Sequence, residues 1–423
     1  MKKNLIFRLV VVGLFFTLNC KAQSTFKVMF YNLLNYPLED AVADREDDLE
    51  YILLDYQPDL FLVCELNNIT GANNILNITK TAISPNFEMA TYVSNTSDDD
   101  FGDQNDLQNL LYYDTSKFNL EEEIIVPTGL RDFNIYKLLL NTVNQETEPV
   151  ELYVVVCHLK ASSGTDNAQK RFEMTQELNA YLNTLPSNTN VLLGGDLNLY
   201  TGSESAFQEL LDNNNNIPFV DPENRVGSWH NNSSYVDVFT QSTRTQTGMG
   251  GTTGGFDDRF DFILTSQNML GNTTINYVND SYQVYGNNET TTCRNRRINS
   301  SDCDGPLFSF EVRDALHNFS DHLPVTVSLE TDASLLTVEE NLVSNKLLLK
   351  KTLISGELII YVDTPQLFNR DLIIYNSIGQ NVKTFTTNSS YRQAFNVSNL
   401  NSGLYFLAVP NSNLNPVKFV IAN

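Results

Sequence analysis

The chain has little positive charge. It carries 27 lysine and arginine residues against 51 aspartate and glutamate residues, a formal net charge of −24 over 423 residues. A surface this acidic cannot wrap nucleic acid through a general basic field. Any phosphate group must therefore be held locally, by bound cations and a few basic side chains.

Long apolar runs are also absent after the first residues of the chain. Residues 1–23 place three basic side chains before an apolar run at 9–18, which is too short to span a bilayer. This pattern predicts a signal peptide cleaved near Ala22 or Gln23. Lipid attachment at Cys20 is the alternative, but the residues before it make a poor lipobox. We therefore expect a protein exported through the periplasm and outer membrane, with no transmembrane segment after signal removal.

Cysteine is scarce, with five residues in all. Cys293 and Cys303 flank a polar loop, and in an exported protein this favours a disulfide between them. Cys64 and Cys157 lie inside apolar runs. We expect these two to be buried, inert thiols.

Polar side chains stand at the ends of several strand-like apolar runs. Such groups cost free energy inside a strand, so they concentrate where strand ends converge on a site. The sequence therefore predicts one cleft built from distant segments, to which these runs contribute Asn32, Glu65, His158, Asp196, Asn198, Asp321 and His322.

From residue 24 to 330, short β-rich runs alternate with helical stretches, among them 43–56 and 168–185. This pattern predicts an α/β fold, a four-layered sandwich of two packed β-sheets flanked by helices. A polar linker follows at 331–340. Residues 341–423 have short strands without helical periodicity, which predicts a small β-sandwich.

The order of the polar segments resembles the endonuclease/exonuclease/phosphatase superfamily of DNase I-like phosphodiesterases, over roughly residues 26–330. Each motif is short enough to recur by chance, but all six in family order are specific. They are Asn32, Glu65, HLK at 158–160, GDLN at 195–198, RFDFIL at 259–264 and SDHLPV at 320–325.

The C-terminal region resembles the sorting domain of type IX secretion cargo. The matching pieces are IIYNSIGQ at 373–380, the NSGLY at 401–405 and a terminal Lys418-Phe419. The Pro-Asn-Pro opening of that family is missing. The resemblance implies the type IX machinery as a partner, and a substrate-binding β-module is the alternative.

The first resemblance implies that the site holds Mg²⁺ or Mn²⁺. Glu65 and Asp321 would bind the metal, with Asn32 orienting a ligand or touching phosphate. His322, oriented by Asp261, is favoured as the general base or as the imidazole that protonates phosphate.

Other residues compete with or support His322. Asp196 is the rival for the base role. Asn198 would hold Asp196 or the phosphate, and His158 would contact a non-bridging phosphate oxygen.

The sequence departs from the DNase I branch in one place. That branch supplies a glutamate partner for the first histidine, where this chain has Gln108 and Asn109. We therefore expect His158 to bind phosphate rather than to transfer protons. The candidates for direct contact with substrate phosphate are Asn109, Lys160 and Arg259, with Arg171 as a further local positive charge. Arg259 pairing with Asp257 or Asp258 is the alternative.

Weaker signals surround the main motifs. The glycine-rich segment 248–255 lacks the ending of a nucleotide P-loop, so we expect a loop at the cleft edge. The acidic run 98–103 is a candidate for structural Ca²⁺, although a solvated loop is favoured. His230 lies in a loop that could contact substrate or face solvent, and His317 is expected to be structural.

These features predict a secreted phosphodiesterase that depends on a divalent metal, with extracellular DNA or RNA as substrate. A sphingomyelinase-like or other small-phosphoester hydrolase of the same fold is the alternative. An inactive binding or adhesion protein is the alternative from another class, but such a protein would have no need of complete polar motifs.

Overall fold

The structure, a computed structural model, describes residues 24–97, 107–271, 273–336, 347–349, 352–362, 367–390, 392–410, 412, 414 and 416–422. The predicted signal peptide, the acidic run at 98–103 and residues 337–340 of the predicted linker lie outside the described residues. Among those that are described, no helix is both long and apolar enough to cross a bilayer.

Two β-sheets form the centre of the larger part of the chain. Their strands are β1 (Ser24–Tyr36), β2 (Leu60–Leu66), β3 (Phe87–Met89), β4 (Gln108–Asp114), β5 (Phe118–Val126), β6 (Phe133–Leu140), β7 (Glu151–His158), β8 (Val191–Asp196), β9 (Phe219–Val220), β10 (Asp261–Ser266), β11 (Asn276–Tyr277), β12 (Gln283–Val284) and β13 (Val325–Thr331). The first sheet runs β11-β13-β1-β2-β4-β3, with β12 on β13, and the second runs β5-β6-β7-β8-β10-β9.

The helices are α1 (Arg45–Tyr56), α2 (Ile69–Ala82), α3 (Thr165–Leu182), α4 (Ser205–Leu211) and α5 (Phe310–Phe319). Short 3₁₀ turns lie at Ser233–Val238, Gln267–Leu270, Thr291–Cys293 and Ser301–Cys303. α1, α2 and α5 pack together beside the first sheet, and α3 and α4 pack together beside the second. The predicted four-layered sandwich is confirmed.

The central strands are buried along nearly their whole length because both faces of each sheet are covered. β2, β4, β8 and β10 are buried at nearly every position. The sheets approach closely at Gly194 of β8, where a Cβ atom would lie 2.7 Å from Leu62 Cδ2 and 3.2 Å from Phe30 Cβ. Glycine at this position therefore allows the close approach of the two sheets.

A second, smaller core forms in the C-terminal region. Its strands are β14 (Leu347–Leu349), β15 (Leu353–Ile354), β16 (Glu357–Val362), β17 (Asp371–Asn376), β18 (Asn381–Thr386), β19 (Arg392–Asn396), β20 (Gly403–Ala408) and β21 (Val417–Ile421). They form a sheet in the order β14-β16-β19 and another in the order β15-β21-β20-β17-β18. Apolar residues of both sheets share this core, which confirms the predicted β-sandwich.

The two parts of the chain are in contact. Tyr361 of β16 packs on Tyr51 of α1, with ring centroids 5.3 Å apart. Residues 334–336 pair with 141–143, since Val143 N donates to Ser334 O at 2.9 Å. The described half of the predicted linker therefore lies along the larger part of the chain.

The cysteine predictions hold. Cys293 and Cys303 form a disulfide that joins two of the 3₁₀ turns. Cys64 and Cys157 are free and buried. Burial raises the pKa of both thiols, so neither is a reactive thiolate.

Arg259 was a candidate for contact with substrate phosphate, and the structure does not place it there. Its side chain is fully buried, and Nη1 and Nη2 each donate to a carboxylate oxygen of Asp221 at 2.8 Å. The guanidinium also packs on Phe262 and donates to Tyr282 Oη at 3.1 Å. Arg259 therefore forms its ion pair with Asp221 and not with Asp257 or Asp258. It stabilises the core instead of contacting substrate.

Arg259→Met is expected to lower the free energy of unfolding by about 3–5 kcal/mol, because it leaves the Asp221 carboxylate buried without its partner. The matched control is Arg296→Met, which breaks an exposed pair with Asp302 at 3.2 Å. That change should cost at most about 1 kcal/mol. Urea unfolding followed by fluorescence measures both, and equal losses in the two variants would contradict the assignment.

Candidate active site

The predicted polar residues meet at one edge of the two sheets. In the first sheet, β1 and β2 are parallel and carry Asn32 and Glu65 towards their carboxyl ends. In the second, β7 and β8 are parallel and end at His158 and Asp196, which are register partners. The antiparallel strands β10 and β13 start at this same edge, so the edge also receives the residues at their beginnings.

Asn32 connects the two sheets through its side-chain amide. Nδ2 donates to Glu65 Oε1 and to Asp196 Oδ2, both at 3.0 Å, while Oδ1 accepts from Leu34 N. Glu65 Oε2 accepts from Asn35 N at 3.0 Å. Asn32 thus turns its nitrogen towards the carboxylates, an arrangement that positions them but offers no oxygen to a metal.

His322 is held by a buried carboxylate. Its Nδ1 lies 2.7 Å from Asp261 Oδ2, and both side chains are almost fully buried. Asp261 in turn is opposite Asp196 in the register of β10 and β8. The expected orientation of His322 by Asp261 is present in the geometry, and the two rival bases lie 3.9 Å apart, from His322 Nε2 to Asp196 Oδ2.

Asp321 lies under the glycine-rich segment 248–255. Its Oδ2 accepts from Thr252 N at 2.7 Å, and a Cβ on Gly251, whose φ is +62°, would lie 2.5 Å from Asp321 Cγ. Only a residue without a side chain permits this approach. The segment is therefore a packed part of the cleft edge.

His158 has the environment that the missing glutamate implied. Nε2 lies 3.6 Å from Asp196 Oδ2 and 3.9 Å from Glu65 Oε1. Nδ1 is buried and has no hydrogen-bond partner among the described residues. Burial, with Arg131 nearby, lowers the pKa of His158 well below its usual range, so the ring is neutral at ordinary pH.

The carboxylates of the site raise the pKa values of neighbouring groups. Burial, and then the neighbouring Asp261, raise the pKa of Asp196 to about 8. Burial, and then Asp321, raise the pKa of Glu65. Burial opposes protonation of His322, but the surrounding carboxylates, led by Asp261, raise its pKa well above the usual range. The site therefore carries an excess of negative charge that a cation would neutralise.

The donor set fits a hard divalent cation. Glu65, His158 and Asp196 offer ligand atoms within 4.8 Å of one another, and so do Asp196, Asp261 and His322. Asp261 Oδ1 and Asp321 Oδ1 are buried oxygens without a hydrogen-bond partner in the described chain. Unpaired carboxylate oxygens of this kind are what Mg²⁺ and Mn²⁺ bind.

Two predicted site residues, Asn198 and Asn109, form hydrogen bonds with other groups of the protein. Asn198 N donates to Asp196 Oδ1 at 3.0 Å, and its side chain reaches Leu159 O at 3.3 Å, so it ties two loops of the site together. Asn109 Nδ2 donates to Asp132 O and Asn134 Oδ1, at 3.0 Å each, and its Oδ1 is buried without a hydrogen-bond partner among the described residues.

The basic candidates differ in availability. Lys160 is half-buried beside His158, where it donates to Ala161 O at 3.1 Å. Arg171 is buried and bound to Glu204 at 2.7 Å, so it stabilises the α3–α4 region instead of supplying free positive charge.

The two remaining histidines lie outside the cluster. His230 is half-exposed and lies 2.7 Å from Asp258 Oδ1, with Asp257 close by. His317 is buried in α5.

Sequence reasoning missed Gln241 and two buried arginines. Gln241 Nε2 lies 2.6 Å from His322 Nε2 and donates to Asp321 Oδ2 at 3.1 Å. Arg244 and Arg45 bind main-chain carbonyls of residues 317–319 and so hold the chain that leads into Asp321. No strand-end pattern marks these residues, because all three reach the site from loops or from a helix start.

The C-terminal region belongs to a known family of sorting domains. Residues 354–423 match the family model for a secretion system C-terminal sorting domain. The protein is secreted or attached to the cell surface. The expectation of type IX export is confirmed, and no curated protein matches the chain.

Solved structures that cover about 73% of the chain include two bacterial proteins described as endonuclease/exonuclease/phosphatase proteins. The human Nocturnin catalytic domain is 14% identical with a TM-score of 0.44, covering 73% of this chain and 97% of that one. TDP2 from D. rerio in complex with a single-stranded DNA product is 17% identical with a TM-score of 0.46. The match covers 73% of this chain and 100% of that one. A family protein from Bacteroides thetaiotaomicron is 13% identical, TM-score 0.43, covering 73% and 96%.

The contact between His322 and Asp261 leads to a kinetic prediction. His322→Ala and Asp261→Asn should each lower the rate of phosphodiester cleavage by about 10²- to 10⁴-fold, since general acid/base groups contribute that much. The double variant should be little slower than the worse single variant, because the two residues act as one unit. Turnover of one phosphodiester at fixed pH and metal concentration tests this, and fully additive losses would refute the coupling.

Proposed function

We propose that the protein is a secreted phosphodiesterase that depends on a divalent cation, with extracellular DNA or RNA as its substrate. The observation that carries the proposal is the convergence of four carboxylates and two histidines at one edge of two sheets. This set of groups supplies what phosphodiester hydrolysis requires, namely cation ligands, a proton acceptor and hydrogen-bond donors to phosphate.

Glu65 and Asp321 would hold Mg²⁺ or Mn²⁺, with Asn32 keeping Glu65 and Asp196 in place. When bound, the cation polarises the phosphoryl group and stabilises the leaving oxygen. A cation at this position also offsets the repulsion among the carboxylates. His158 is neutral and its Nε2 faces the carboxylates of the site, so this nitrogen is placed to hydrogen-bond a phosphate oxygen.

His322 and Asp196 are the groups that move protons. Asp261 fixes the Nδ1 side of the His322 ring, so that Nε2 faces Asp196 and the cleft. Asp196 shares this space, and the two titrate as a coupled pair. We assign the proton acceptor to this pair rather than to one member.

The acidic surface limits how substrate is held. A polymer cannot be bound by long-range attraction to a chain with this net charge, so contacts at the scissile phosphate have to dominate. A small phosphoester, including a sphingomyelin headgroup, uses the same centre and is the second candidate.

A substrate screen tests the proposal directly. Mature protein with Mg²⁺ or Mn²⁺ is incubated with closed circular plasmid, RNA, sphingomyelin vesicles and a chromogenic phosphodiester. We expect nicking of the circle or degradation of RNA, and loss of both with EDTA. Cleavage of sphingomyelin alone would favour the second candidate, and no cleavage of any substrate would contradict the proposal.

Glu65→Gln removes one negative charge while preserving shape. Outer-shell partners of metals contribute about 10- to 100-fold to activity, and a direct ligand should contribute at least as much. We therefore expect a loss of about 100-fold or more, with a melting temperature near that of the wild type. Glu88→Gln is the control. Glu88 lies on β3 of the sheet that carries Glu65, and it is exposed and paired with Lys80 of α2. Near wild-type turnover of Glu65→Gln at limiting Mg²⁺ would exclude Glu65 as a ligand.

A further inference from the structure

Among the described residues, Gln241 is the uncharged side chain that hydrogen-bonds both Asp321 and the ring of His322, whereas Asn32 Nδ2 approaches only the ring, at 3.5 Å from Nε2. Its Nε2 atom lies 3.1 Å from Asp321 Oδ2 and 2.6 Å from His322 Nε2. Its exposed fraction is 8%, so these contacts are shielded from water. An amide nitrogen has two N–H groups and does not accept hydrogen bonds, so Gln241 is the donor in both contacts.

The contact with Asp321 fixes which way the amide faces. A carboxylate can only accept from the amide, so the nitrogen must lie on the side of Asp321 and His322. In the neutral ring, Nε2 then accepts from Gln241, and Nδ1 carries the proton that it donates to Asp261 Oδ2 at 2.7 Å. Asp261 and Gln241 thus hold the two ring nitrogens from opposite sides.

The main chain of Gln241 is also held on two sides. Thr240 N and Gln241 N donate to Asp258 O, and Asp257 N and Asp258 N donate to Gln241 O. On the other side, Gln241 pairs with His322 as an isolated β-bridge, and Leu323 N donates to Thr240 O at 2.8 Å. The side chain therefore extends from a backbone that has little freedom to move.

The amide also occupies one oxygen of Asp321 and leaves the other without a hydrogen bond. Gln241 Nε2 and Thr252 N both donate to Oδ2, whereas Oδ1 lies 4.0 Å from His322 Nε2. Asp321 Oδ1 has no hydrogen-bond partner among the described residues, so it is available to a cation.

We propose that Gln241 is a positioning residue of the active site, which presents His322 Nε2 as an acceptor and keeps Asp321 available to the cation. This inference rests on the proposed function for its consequence in catalysis. The contact itself can be tested in the metal-free protein. Residues that orient metal ligands contribute about 10- to 100-fold in affinity or activity, so an effect of that size is expected.

The test compares Gln241→Met with Gln246→Met. Gln246 lies five residues further along in the same loop region, is exposed, and contacts only Met249 Sδ among the described side chains. Gln241→Met keeps the length of the side chain and removes both donated hydrogen bonds. We expect a 10- to 100-fold fall in kcat, a KM within about threefold of wild type, and a raised half-saturation concentration of Mn²⁺. Gln246→Met should change none of these.

A spectroscopic measurement on metal-free protein separates positioning from a general structural role. Long-range ¹H–¹⁵N correlation spectra of the histidine rings report which nitrogen carries the proton and whether the other accepts a hydrogen bond. In Gln241→Met the Nε2 resonance of His322 should shift, while the resonances of His230 should stay in place. Gln241→Glu, in which oxygen replaces the donor nitrogen in the same shape, should also move the His322 resonance.

The outcomes are distinguishable. An unchanged His322 resonance in a folded Gln241 variant, or full activity of Gln241→Met, would overturn the positioning role. If Gln241→Met fails to fold, Gln241→Glu decides by the same spectrum. Absence of phosphodiesterase activity in the wild type together with a shifted resonance would overturn the proposed function and leave the contact standing.

Discussion

Glu65, Asp196, Asp261 and Asp321 crowd into a space with little water, and their mutual repulsion is the constraint on which the site depends. Carboxylates in such a place remain ionised only if donors or cations compensate them. The chain supplies part of this compensation with neutral amides. Asn32 bridges Glu65 and Asp196 across the two sheets, and the remaining negative charge is what a divalent cation would offset.

Four of the buried arginines donate hydrogen bonds to groups other than the site carboxylates. Arg259 forms an ion pair with Asp221, and Arg171 forms one with Glu204, each at 2.8 Å or less. Arg45 and Arg244 are buried near the site but donate to main-chain carbonyls. Had any of these guanidiniums paired with a site carboxylate, it would have occupied oxygens that a cation needs. The buried arginines thus brace the loops without neutralising the cleft.

The sequence predicted the elements that follow from periodicity and motif order. The helices expected at 43–56 and 168–185 appear as α1 (Arg45–Tyr56) and α3 (Thr165–Leu182), and the strands that carry Glu65, His158 and Asp196 end where polar residues interrupt the apolar runs. α2 was missed because its asparagine-rich sequence has low helix propensity, and it is stabilised by burial of Ala72 and Ile75 and by the Asn68 cap.

Contacts between distant loops were beyond the reach of sequence patterns. Nothing in the run around Gln241 distinguishes it from the surrounding polar loop, and only the bridge to His322 brings it to the site. The choice of Asp221 as partner of Arg259, 38 residues away, is likewise set by tertiary packing. Motifs predicted which residues converge, whereas the residues that hold them in place depend on the fold.

The glycine at position 194 links the apolar core to the polar edge of the sheets. Gly194 allows β8 to lie close to Phe30 and Leu62 of the opposite sheet, and it comes two residues before Asp196. Leu62 and Phe30 lie on the strands that carry Glu65 and Asn32. A methyl group at residue 194 would have to displace one of these two side chains. A substitution at this core position therefore acts on the strands that carry the site, although it touches none of the polar groups.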